Sequence, residues 1–375
     1  MDKIEEPTKT EAEQLTESDI FMAMPPYDMG RFADHTTPLV RNCWYMAGRS
    51  SEIGRTPLGR RLLGTDVAMY RKLDGTPVIV QNRCPHRSFP LSKGKLEGDN
   101  LVCGYHGMTF ESTGRCVRMP AMPVTPSNVQ ISSYPVVERA PVVWVWMGDP
   151  DRADESLVPD TSWLSSPDWG TVQGGFAIKC NYIAMHENLL DQTHFAFLHP
   201  DTVGTAAYAR SKLDVETNGN VVTIHRRLKS SPPPPIYGVP MGLTGRNVDR
   251  YSDSHFVSPA LHVAFARIVN PDPREDERRE FRVNITHIFT PENQDSLHYW
   301  WFNSRDFNLT SEEADIYLRD NSAKAYLEDV DALQWINEVV HNNNDGAFEL
   351  NFAPDKPALL MRRNIYHLAM AEQAG

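Results

Sequence analysis

The chain has 375 residues, enough for two domains, and its 41% hydrophobic and 23% charged residues are ordinary for a globular protein. Its net charge of −12 counts against nucleic-acid binding, which requires a basic face. No run approaches the roughly 18 apolar residues of a membrane span, and the first residues lack the apolar core of a signal peptide, so we expect a cytoplasmic protein with no membrane partner. Three of the five cysteines belong to no motif or disulfide framework and are expected to be reduced core residues: Cys43, Cys116 and Cys180.

Short strand-like segments follow a polar N-terminal extension. Residues 1–36 are acidic and weakly periodic, which predicts a flexible extension; an arm that packs on a neighbouring subunit is the alternative. From Leu39 onward, apolar or alternating segments are separated by turns, and they cover 42–47, 66–71, 77–81, 101–110 and 141–147. Segments of this length and spacing predict a small all-β domain over residues 37–150.

The most informative stretch of this β domain holds two Cys-His pairs. Cys84 and His86 are separated by one residue, and Cys103 and His106 by two. Two Cys and two His can bind a tetrahedral zinc ion, or a Rieske [2Fe-2S] cluster in which two Cys bind one iron and two His bind the other. Zinc sites usually pair Cys with Cys and His with His at short spacing, so the mixed pairs favour a cluster with these four residues as ligands.

A second domain follows a linker. Residues 151–168 are polar and rich in Pro and Ser, which is typical of a linker, and the second domain is predicted over 151–375. Helix-like sequence covers 181–199, and a long helix is predicted over 310–340 because apolar residues recur there at three-to-four spacing behind an acidic start at Ser311. Five segments have the pattern of strands: 171–179, 221–225, 261–269, 281–290 and 297–302. The pattern predicts an α+β domain, an antiparallel sheet with helices on one face in a helix-grip, START-like arrangement.

The segment from Ser231 to Arg250 begins with four prolines, which set a stiff extended conformation. It has few apolar residues that would anchor it. It is therefore either a plain surface loop or a lid over a pocket, since long loops in compact domains are often functional.

Three potential ligands lie in the helix-like segment, Asp191, His194 and His199. Asp191 and His194 are three residues apart and would share one face of a helix. On a regular helix the imidazoles of His194 and His199 would diverge by roughly 140°, so only an irregular turn before Pro200 would bring them together. From spacing alone, both a metal site and two ordinary core histidines stay open.

From about Leu39 onward the chain resembles the oxygenase components of Rieske non-haem iron oxygenases. The resemblance rests on Cys-Pro-His-Arg at 84–87, on Cys-Gly-Tyr-His-Gly at 103–107, and on an Asp-x-x-His-x4-His segment that starts at Asp191. Respiratory Rieske proteins differ, since they carry an extra Cys in each loop. Further segments resemble the vanillate O-demethylase and dicamba monooxygenase branch: 87–92, 105–110, 286–291 and 298–301.

The resemblance implies a second metal, a mononuclear Fe(II) bound by His194, His199 and one carboxylate. Such a triad leaves coordination positions open for O2 and substrate. Three acidic residues of the predicted long helix are candidates for the carboxylate: Glu328, Asp329 and Asp331. Asp329 matches the Glu-Asp pattern of the family and is chosen, with Asp331 as the second choice.

The resemblance also implies partners. Asp191 would relay electrons from the cluster of a neighbouring subunit, in a homotrimer with head-to-tail contacts. The sequence has neither the G-x-G-x-x-G fingerprint of nucleotide-binding domains nor the C-x4-C-x2-C run of plant-type ferredoxins. Electrons are therefore expected from a separate NAD(P)H-dependent reductase that carries a flavin and a plant-type ferredoxin centre.

The implied function is that of a terminal oxygenase that hydroxylates, or O- or N-demethylates, a small aromatic substrate such as an aromatic acid or aryl methyl ether. A cis-dihydroxylating dioxygenase, or a hydroxylase of an alicyclic or steroid-like ring, is an alternative. A Rieske electron-transfer protein is a second alternative, but it would leave residues 151–375 without a role. No motif indicates the substrate contacts, and three residues are guesses for polar or stacking contacts: Asn247, His262 and Trp301.

Overall fold

A computed structural model describes residues 36–342 and 350–374, which belong to two compact units. The first unit is residues 39–165 together with 289–293, and the second contains the other described residues. The N-terminal extension predicted over 1–36 lies outside the described residues except for Thr36. Among the described residues, no helix has both the length and the apolar character that a membrane crossing requires.

The first unit is built from short β-strands in three sheets, ordered β1-β10-β9, β2-β3-β4 and β5-β6-β7-β8. The strands are Trp44–Arg49 (β1), Leu58–Leu62 (β2), Thr65–Arg71 (β3), Pro77–Gln81 (β4), Lys95–Glu97 (β5), Asn100–Val102 (β6), Thr109–Phe110 (β7), Cys116–Arg118 (β8), Val136–Arg139 (β9) and Val142–Trp146 (β10). The predicted all-β fold is confirmed. The sequence does not predict β2, β5, β8 and β9, which bury at most one residue each and so carry little apolar pattern.

The two loops that carry the Cys-His pairs rise from one hydrophobic cluster of this unit. Buried side chains from β3, β4, β6 and β7 form its centre, including Tyr70, Val80, Leu101 and Phe110. Cys84 and Cys103 are part of the same cluster. The base of both loops is therefore held by the packed core rather than by the loops themselves.

The second unit is built on a seven-stranded sheet with the order β11-β17-β16-β15-β14-β13-β12. Its strands are Gly170–Ile178 (β11), Leu213–Asn218 (β12), Val221–Ser231 (β13), Val248–Ser258 (β14), Leu261–Val269 (β15), Glu280–Pro291 (β16) and Leu297–Arg305 (β17). Each strand pairs antiparallel with at least one neighbour. This confirms the predicted antiparallel sheet, although the sequence does not predict β12 or β14.

Six helices accompany the sheet in the described residues: Tyr182–Leu190 (α1), Phe195–Leu198 (α2), Ala206–Ala209 (α3), Pro235–Gly238 (α4), Glu312–Asn342 (α5) and Lys356–Ala374 (α6). The long helix and its start are as predicted, since the Ser311 hydroxyl accepts a hydrogen bond from the N–H of Ala314 at 3.2 Å. The buried residues of α5 run from Ala314 to Leu333. Two apolar residues of the repeating pattern, Ile316 and Ile336, are exposed, so the pattern includes positions that do not pack against the sheet.

The proline-rich segment between β13 and β14 is more packed than its sequence suggests. It contains α4, and several of its apolar side chains are buried, including Ile236, Tyr237, Met241 and Leu243. Strand β14 begins at Val248, inside the range expected to be a loop. The middle of the segment is therefore part of the second unit, and the lid interpretation stays a prediction.

Candidate functional site

Tight turns shape both cluster loops of the first unit. In the loop after β4, the N–H of Cys84 donates to the carbonyl of Phe89 at 3.0 Å. In the loop after β6, the N–H of Cys103 donates to the carbonyl of Met108 at 2.8 Å, and the N–H of Gly107 donates back to the carbonyl of Cys103 at 3.0 Å. Gly107 has a φ of +70°, a left-handed conformation that glycine adopts without steric cost, which permits this turn.

The loops bring two buried thiols and two exposed imidazoles together. Burial raises the pKa of Cys84 to about 11, with a smaller contribution from the adjacent Cys103, while the backbone N–H groups of His86 and Arg87 donate to its sulfur. The Nδ1 atoms of His86 and His106 face each other at 3.2 Å. Two imidazole nitrogens in this position need a shared proton or bound metal between their lone pairs.

The spacing of these four groups is wrong for one zinc ion. A single ion with bonds of about 2.0–2.3 Å requires its ligand atoms to lie within roughly 4–4.6 Å of one another. Within residues 36–342 and 350–374, no three of the four Cys and His ligand atoms come within 4.8 Å of one another. Ligands spread over two irons are farther apart, so the arrangement fits a [2Fe-2S] cluster.

The helix predicted over 181–199 is confirmed for Tyr182–Leu190 and Phe195–Leu198, but as one continuous helix the prediction is wrong, because residues 191–194 interrupt it. Asp191 follows α1 and its Oδ1 atom accepts hydrogen bonds from the N–H of Thr193 at 2.9 Å and from its hydroxyl at 2.5 Å. Such a local turn competes with the helical hydrogen bonds and ends the helix. His194 and His199 then flank the four-residue helix α2, so Asp191 and His194 do not lie on one helical face.

This irregular turn lets His194, His199 and Asp329 converge. Oδ1 of Asp329 lies 2.9 Å from Nε2 of His199 and 3.3 Å from Nε2 of His194. His199 and Asp329 are buried, and His194 is half-buried. Among the described residues, this is the one group of potential ligands spaced for a single metal ion.

The electrostatics of the three residues suit a cation. Burial acts to raise the pKa of Asp329, but His194 and His199 lower it well below its usual value. Burial acts to lower the pKa of His199, but Asp329 and then Glu328 raise it above its usual value. Nε2 of His194 is buried and lies 3.3 Å from Oδ1 of Asp329, the same oxygen that Nε2 of His199 approaches at 2.9 Å. Two imidazole nitrogens and one carboxylate oxygen that face one another in a buried place are a typical donor set for a divalent metal ion, so the three side chains fit a bound metal ion.

Two further residues hold the side chains of His199 and Asp329 in place through hydrogen-bond contacts. Oε2 of Glu328 lies 2.7 Å from Nδ1 of His199, and the amide of Asn188 donates to Oδ1 of Asp329 at 3.0 Å. Carboxylates and amides in this position fix the tautomer and orientation of a metal ligand. Glu328, a candidate ligand from the sequence, therefore contacts the outer nitrogen of His199 instead of joining the three converging ligand atoms, while Asp331 is exposed. Sequence reasoning missed Asn188, whose position one helical turn before Asp191 is the only local signal.

Aromatic and imidazole rings pack beside Asp329. Tyr326, one helical turn earlier on α5, lies 5.2 Å from the ring of His287, 6.2 Å from Tyr299 and 5.3 Å from Trp301. Burial lowers the pKa of His287 to about 3, so this imidazole is neutral near pH 7. The sequence contains no spacing signal for these residues because they come from β16, β17 and α5.

Of the three residues guessed from the sequence as substrate contacts, two lie in the protein interior and one lies on the surface. Trp301 and His262 are buried, and Nε2 of His262 lies 2.7 Å from the hydroxyl of Ser254. Asn247 is exposed and donates to Ser230 at 3.3 Å. The structure therefore separates Asn247 from the other two.

A cavity of about 470 Å³ lies beside the triad within the second unit, lined in part by Asn188, Asp191, His194, Leu333 and Leu359. Asp191 is half-buried there, next to His194. The predicted relay residue thus borders the triad and a space large enough for side chains of another molecule.

Comparisons with known proteins agree with both halves of the site. The Rieske [2Fe-2S] domain family matches residues 43–135, and the vanillate O-demethylase oxygenase C-terminal domain family matches residues 178–371. The chain belongs to the Rieske non-haem iron oxygenases. This confirms the predicted family, and an electron-transfer protein without a catalytic domain is ruled out.

Relatives match this Rieske oxygenase over most of its length. The oxygenase component of dicamba O-demethylase from Stenotrophomonas maltophilia is 31% identical and covers 89% of the chain and 99% of the relative. An iron-sulfur subunit of the toluene-4-sulfonate monooxygenase system from Comamonas testosteroni is 37% identical, over 77% of the chain and 86% of the relative. The crystal structure of dicamba monooxygenase bound to 3,6-dichlorosalicylic acid superposes with a TM-score of 0.85 at 31% identity, over 90% of this chain and all of that one.

The chain is therefore an oxidoreductase, the oxygenase component of a multi-component Rieske system. Its cofactors are a Rieske [2Fe-2S] cluster and a mononuclear iron; dicamba monooxygenase also has a structure with non-heme iron. The predicted fold, enzyme class and cofactors are confirmed. Cytoplasmic location stays a prediction.

Proposed function

We propose that the domain predicted over 37–150 holds the cluster through Cys84, His86, Cys103 and His106, and that the domain predicted over 151–375 holds the iron through His194, His199 and Asp329. The observation that carries this proposal is the convergence of Asp329 with two histidines some 130 residues away in the chain, with Nε2 atoms at 2.9 and 3.3 Å from its Oδ1. The spacing of the Cys and His ligand atoms, too wide for one ion, supports the cluster assignment.

The bound iron would supply the activation of O2, and the protein would oxidise a small aromatic substrate, by hydroxylation or by O- or N-demethylation. The substrate is an aromatic acid or aryl methyl ether, a class that includes compounds in the names of the relatives, such as toluene-4-sulfonate. Support within the chain comes from the rings of His287, Tyr299, Trp301 and Tyr326, which form a buried cluster beside Asp329. Clusters of this kind can contact an aromatic ring through stacking and edge interactions.

We propose that the protein is a homotrimer in which Asp191 links the iron site to the cluster of a neighbouring subunit. The cavity beside Asp191 offers space for that contact. Two exposed apolar side chains of α5, Trp335 at 64% and Val339 at 59% exposure, lie on either side of Ile336 in the sequence, and Ile336 lines the same cavity. Exposed apolar residues clustered at one place are typical of an interface. Electrons would come from a separate NAD(P)H-dependent reductase with a flavin and a plant-type ferredoxin centre.

Iron and acid-labile sulfide per chain test the two metal sites. Wild type should contain about three irons and about two sulfides, since the cluster accounts for two of each. His194→Ala should lose one iron and keep its sulfide, and His367→Ala, which changes an exposed histidine of α6, should lose nothing. Equal iron in wild type and His194→Ala, even after Fe(II) is added, would contradict the mononuclear site.

Product analysis then tests the reaction. Wild type supplied with O2 and a suitable reductase should release formaldehyde from an aryl methyl ether, or insert one oxygen atom, and His194→Ala should do neither. A cis-diol product would instead show dioxygenation.

A further inference from the structure

Two buried arginines lie side by side on the inner face of the catalytic sheet. Arg226 on β13 is 2% exposed, and Arg250 on β14 is 6% exposed. Residues of β14 alternate, so that Arg250 faces the same side as the buried Val248 and Ser252, and Ser252 is the cross-strand partner of Arg226. No carboxylate of the described residues lies within ion-pair distance of either guanidinium, whereas the neighbouring Arg227, which faces outward, pairs with an acid at 2.6 Å.

Both guanidiniums lie near one tyrosine ring. The Cζ atoms of Arg226 and Arg250 are 5.2 and 4.2 Å from the ring centroid of Tyr208. The hydroxyl of Tyr208 donates to the buried Gln192 at 2.6 Å, which fixes the ring. Cation–π contact therefore orients both side chains but gives neither a counter-charge.

The hydrogen bonds of the two arginines are incomplete. Nη1 of Arg226 donates to the carbonyl of Ser211 at 2.8 Å, while its Nε is buried and has no partner among the described residues. Arg250 donates one hydrogen bond, from Nε to the hydroxyl of Ser252 at 3.2 Å. Its two terminal nitrogens donate to no group of the described chain. Arg226 is therefore held in place by its hydrogen bond to the backbone of Ser211, whereas the two terminal nitrogens of Arg250 are available to donate to a ligand.

Two neighbouring buried cations with no acid at ion-pair distance are costly to keep. Burial lowers the pKa of Arg226, while Tyr208 and the more distant Asp191 act to raise it and the charge of Arg250 acts to lower it further. A guanidinium nevertheless stays protonated in proteins. An arginine that only filled the core could be replaced by an apolar residue at a gain in stability. A bound oxyanion removes the cost, and the planar fork of a guanidinium matches the two oxygens of a carboxylate or sulfonate.

A row of aromatic rings connects this pair to the iron triad. The ring of Tyr208 stacks on Phe195 at 5.6 Å with an interplanar angle of 8°. Phe195 in turn packs against His194 at 5.0 Å and His199 at 5.7 Å. The guanidiniums and the triad therefore lie at opposite ends of one continuous set of contacts within the same unit.

We infer that Arg250, supported by Arg226, binds the anionic group of the aromatic substrate, a carboxylate or a sulfonate, and holds the opposite end of the ring toward His194 and His199. The identity of the bound molecule as substrate rests on the proposed function. Anion binding itself is measurable without turnover, so the two can fail separately.

Calorimetric titration of the whole protein with matched ligands tests the site. The probes are 4-methoxybenzoate, its uncharged analogue 4-methoxybenzamide, and toluene-4-sulfonate. Wild type should bind at least one of the anions about tenfold or more tightly than the amide, and Arg250→Gln should abolish that preference. Arg250→Lys should keep part of it, because the charge remains but the fork does not.

Arg267→Gln is the matched control and should leave the preference unchanged. Its Cζ atom lies 4.0 Å from the ring of Tyr251, much like Arg250 over Tyr208, but its guanidinium is exposed and pairs with Glu280 at 3.1 Å. Circular dichroism and sulfide content of the same samples show whether each variant is folded. If Arg250→Gln does not fold, the other two proteins test the inference. Wild type should prefer the anions to the amide, and Arg250→Lys should show a smaller preference.

Equal binding of anions and amide by wild type would overturn the inference, as would an unchanged preference in a folded Arg250→Gln. His194→Ala separates the two proposals, because it should lose iron and keep the anion preference. Loss of the preference in Arg250→Gln together with unchanged iron in His194→Ala would support the anion site and contradict the iron site. The relative affinity for 4-methoxybenzoate and toluene-4-sulfonate identifies the anionic group.

Discussion

Replacing Arg362 by Met should destabilise the catalytic unit by about 3–5 kcal/mol, the usual cost of breaking a buried ion pair. Arg362 of α6 donates to Glu187 of α1 through two nitrogens, from Nε at 2.5 Å and from Nη2 at 2.7 Å. The two side chains are only 7% and 5% exposed, so solvent screens the pair little. The change leaves a buried carboxylate without its guanidinium, directly beside Asn188, whose amide donates to Asp329.

The free energy of unfolding in urea, followed by circular dichroism and tryptophan fluorescence, measures this cost. The double variant Glu187→Met with Arg362→Met should recover most of it, because replacing a whole buried pair by apolar residues is often neutral. Arg363→Met changes the adjacent, exposed arginine of the same helix and should stay within about 0.5 kcal/mol of wild type. The deficit of Arg362→Met should also shrink as the pH falls from 8 to 5, since a buried carboxylate that lacks a cation takes up a proton more readily.

A loss below about 1 kcal/mol in Arg362→Met would refute this reasoning. So would a double variant as unstable as the single one, because the cost would then come from lost packing rather than from an uncompensated charge.

Other expectations concern the iron site and the pH dependence of stability. A Cβ atom on Gly204 would lie 2.0 Å from a backbone oxygen of α2, so Gly204→Ala should reduce bound iron about tenfold or more, while Gly54→Ala, which meets nothing within 4 Å, should not. Asp329→Asn should lose iron and the exposed Asp331→Asn should keep it, by metal analysis; the reverse would select Asp331 as the ligand. Burial lowers the pKa of His186 to about 4, so the unfolded state binds more protons between about pH 4 and 6.5 and stability falls as the pH drops through this window. His186→Gln should remove about 1 kcal/mol of the stability difference between pH 7.5 and 5.5 in urea titrations, and an unchanged difference would contradict this.

Local patterns determined much of this protein. The four predicted cluster ligands lie within Cys84 to His106, on two loops of one small domain, so their spacing alone distinguishes mixed Cys-His pairs from zinc patterns. Helix α5 and most central strands of the sheet can also be predicted from the sequence, because each of them buries residues at a regular spacing. The resemblance to the oxygenases then extended this reading to His194, His199 and Asp329.

Other features depended on contacts between distant segments. Whether Asp329 or Asp331 meets the histidines depends on the phase of α5 against α2, and Glu328 became a supporting residue for the same reason. The side chain of Asp191 ended a helix that propensity favours, because its hydrogen bonds to Thr193 outcompete the next helical turn. Arg250 was predicted to end a polar loop, but it lies in strand β14. The register in which β14 pairs with β13 places its side chain beside that of Arg226. A sequence determines which elements can form and which face of each is apolar, whereas the pairing of faces, and hence the site between them, is decided only when the elements pack.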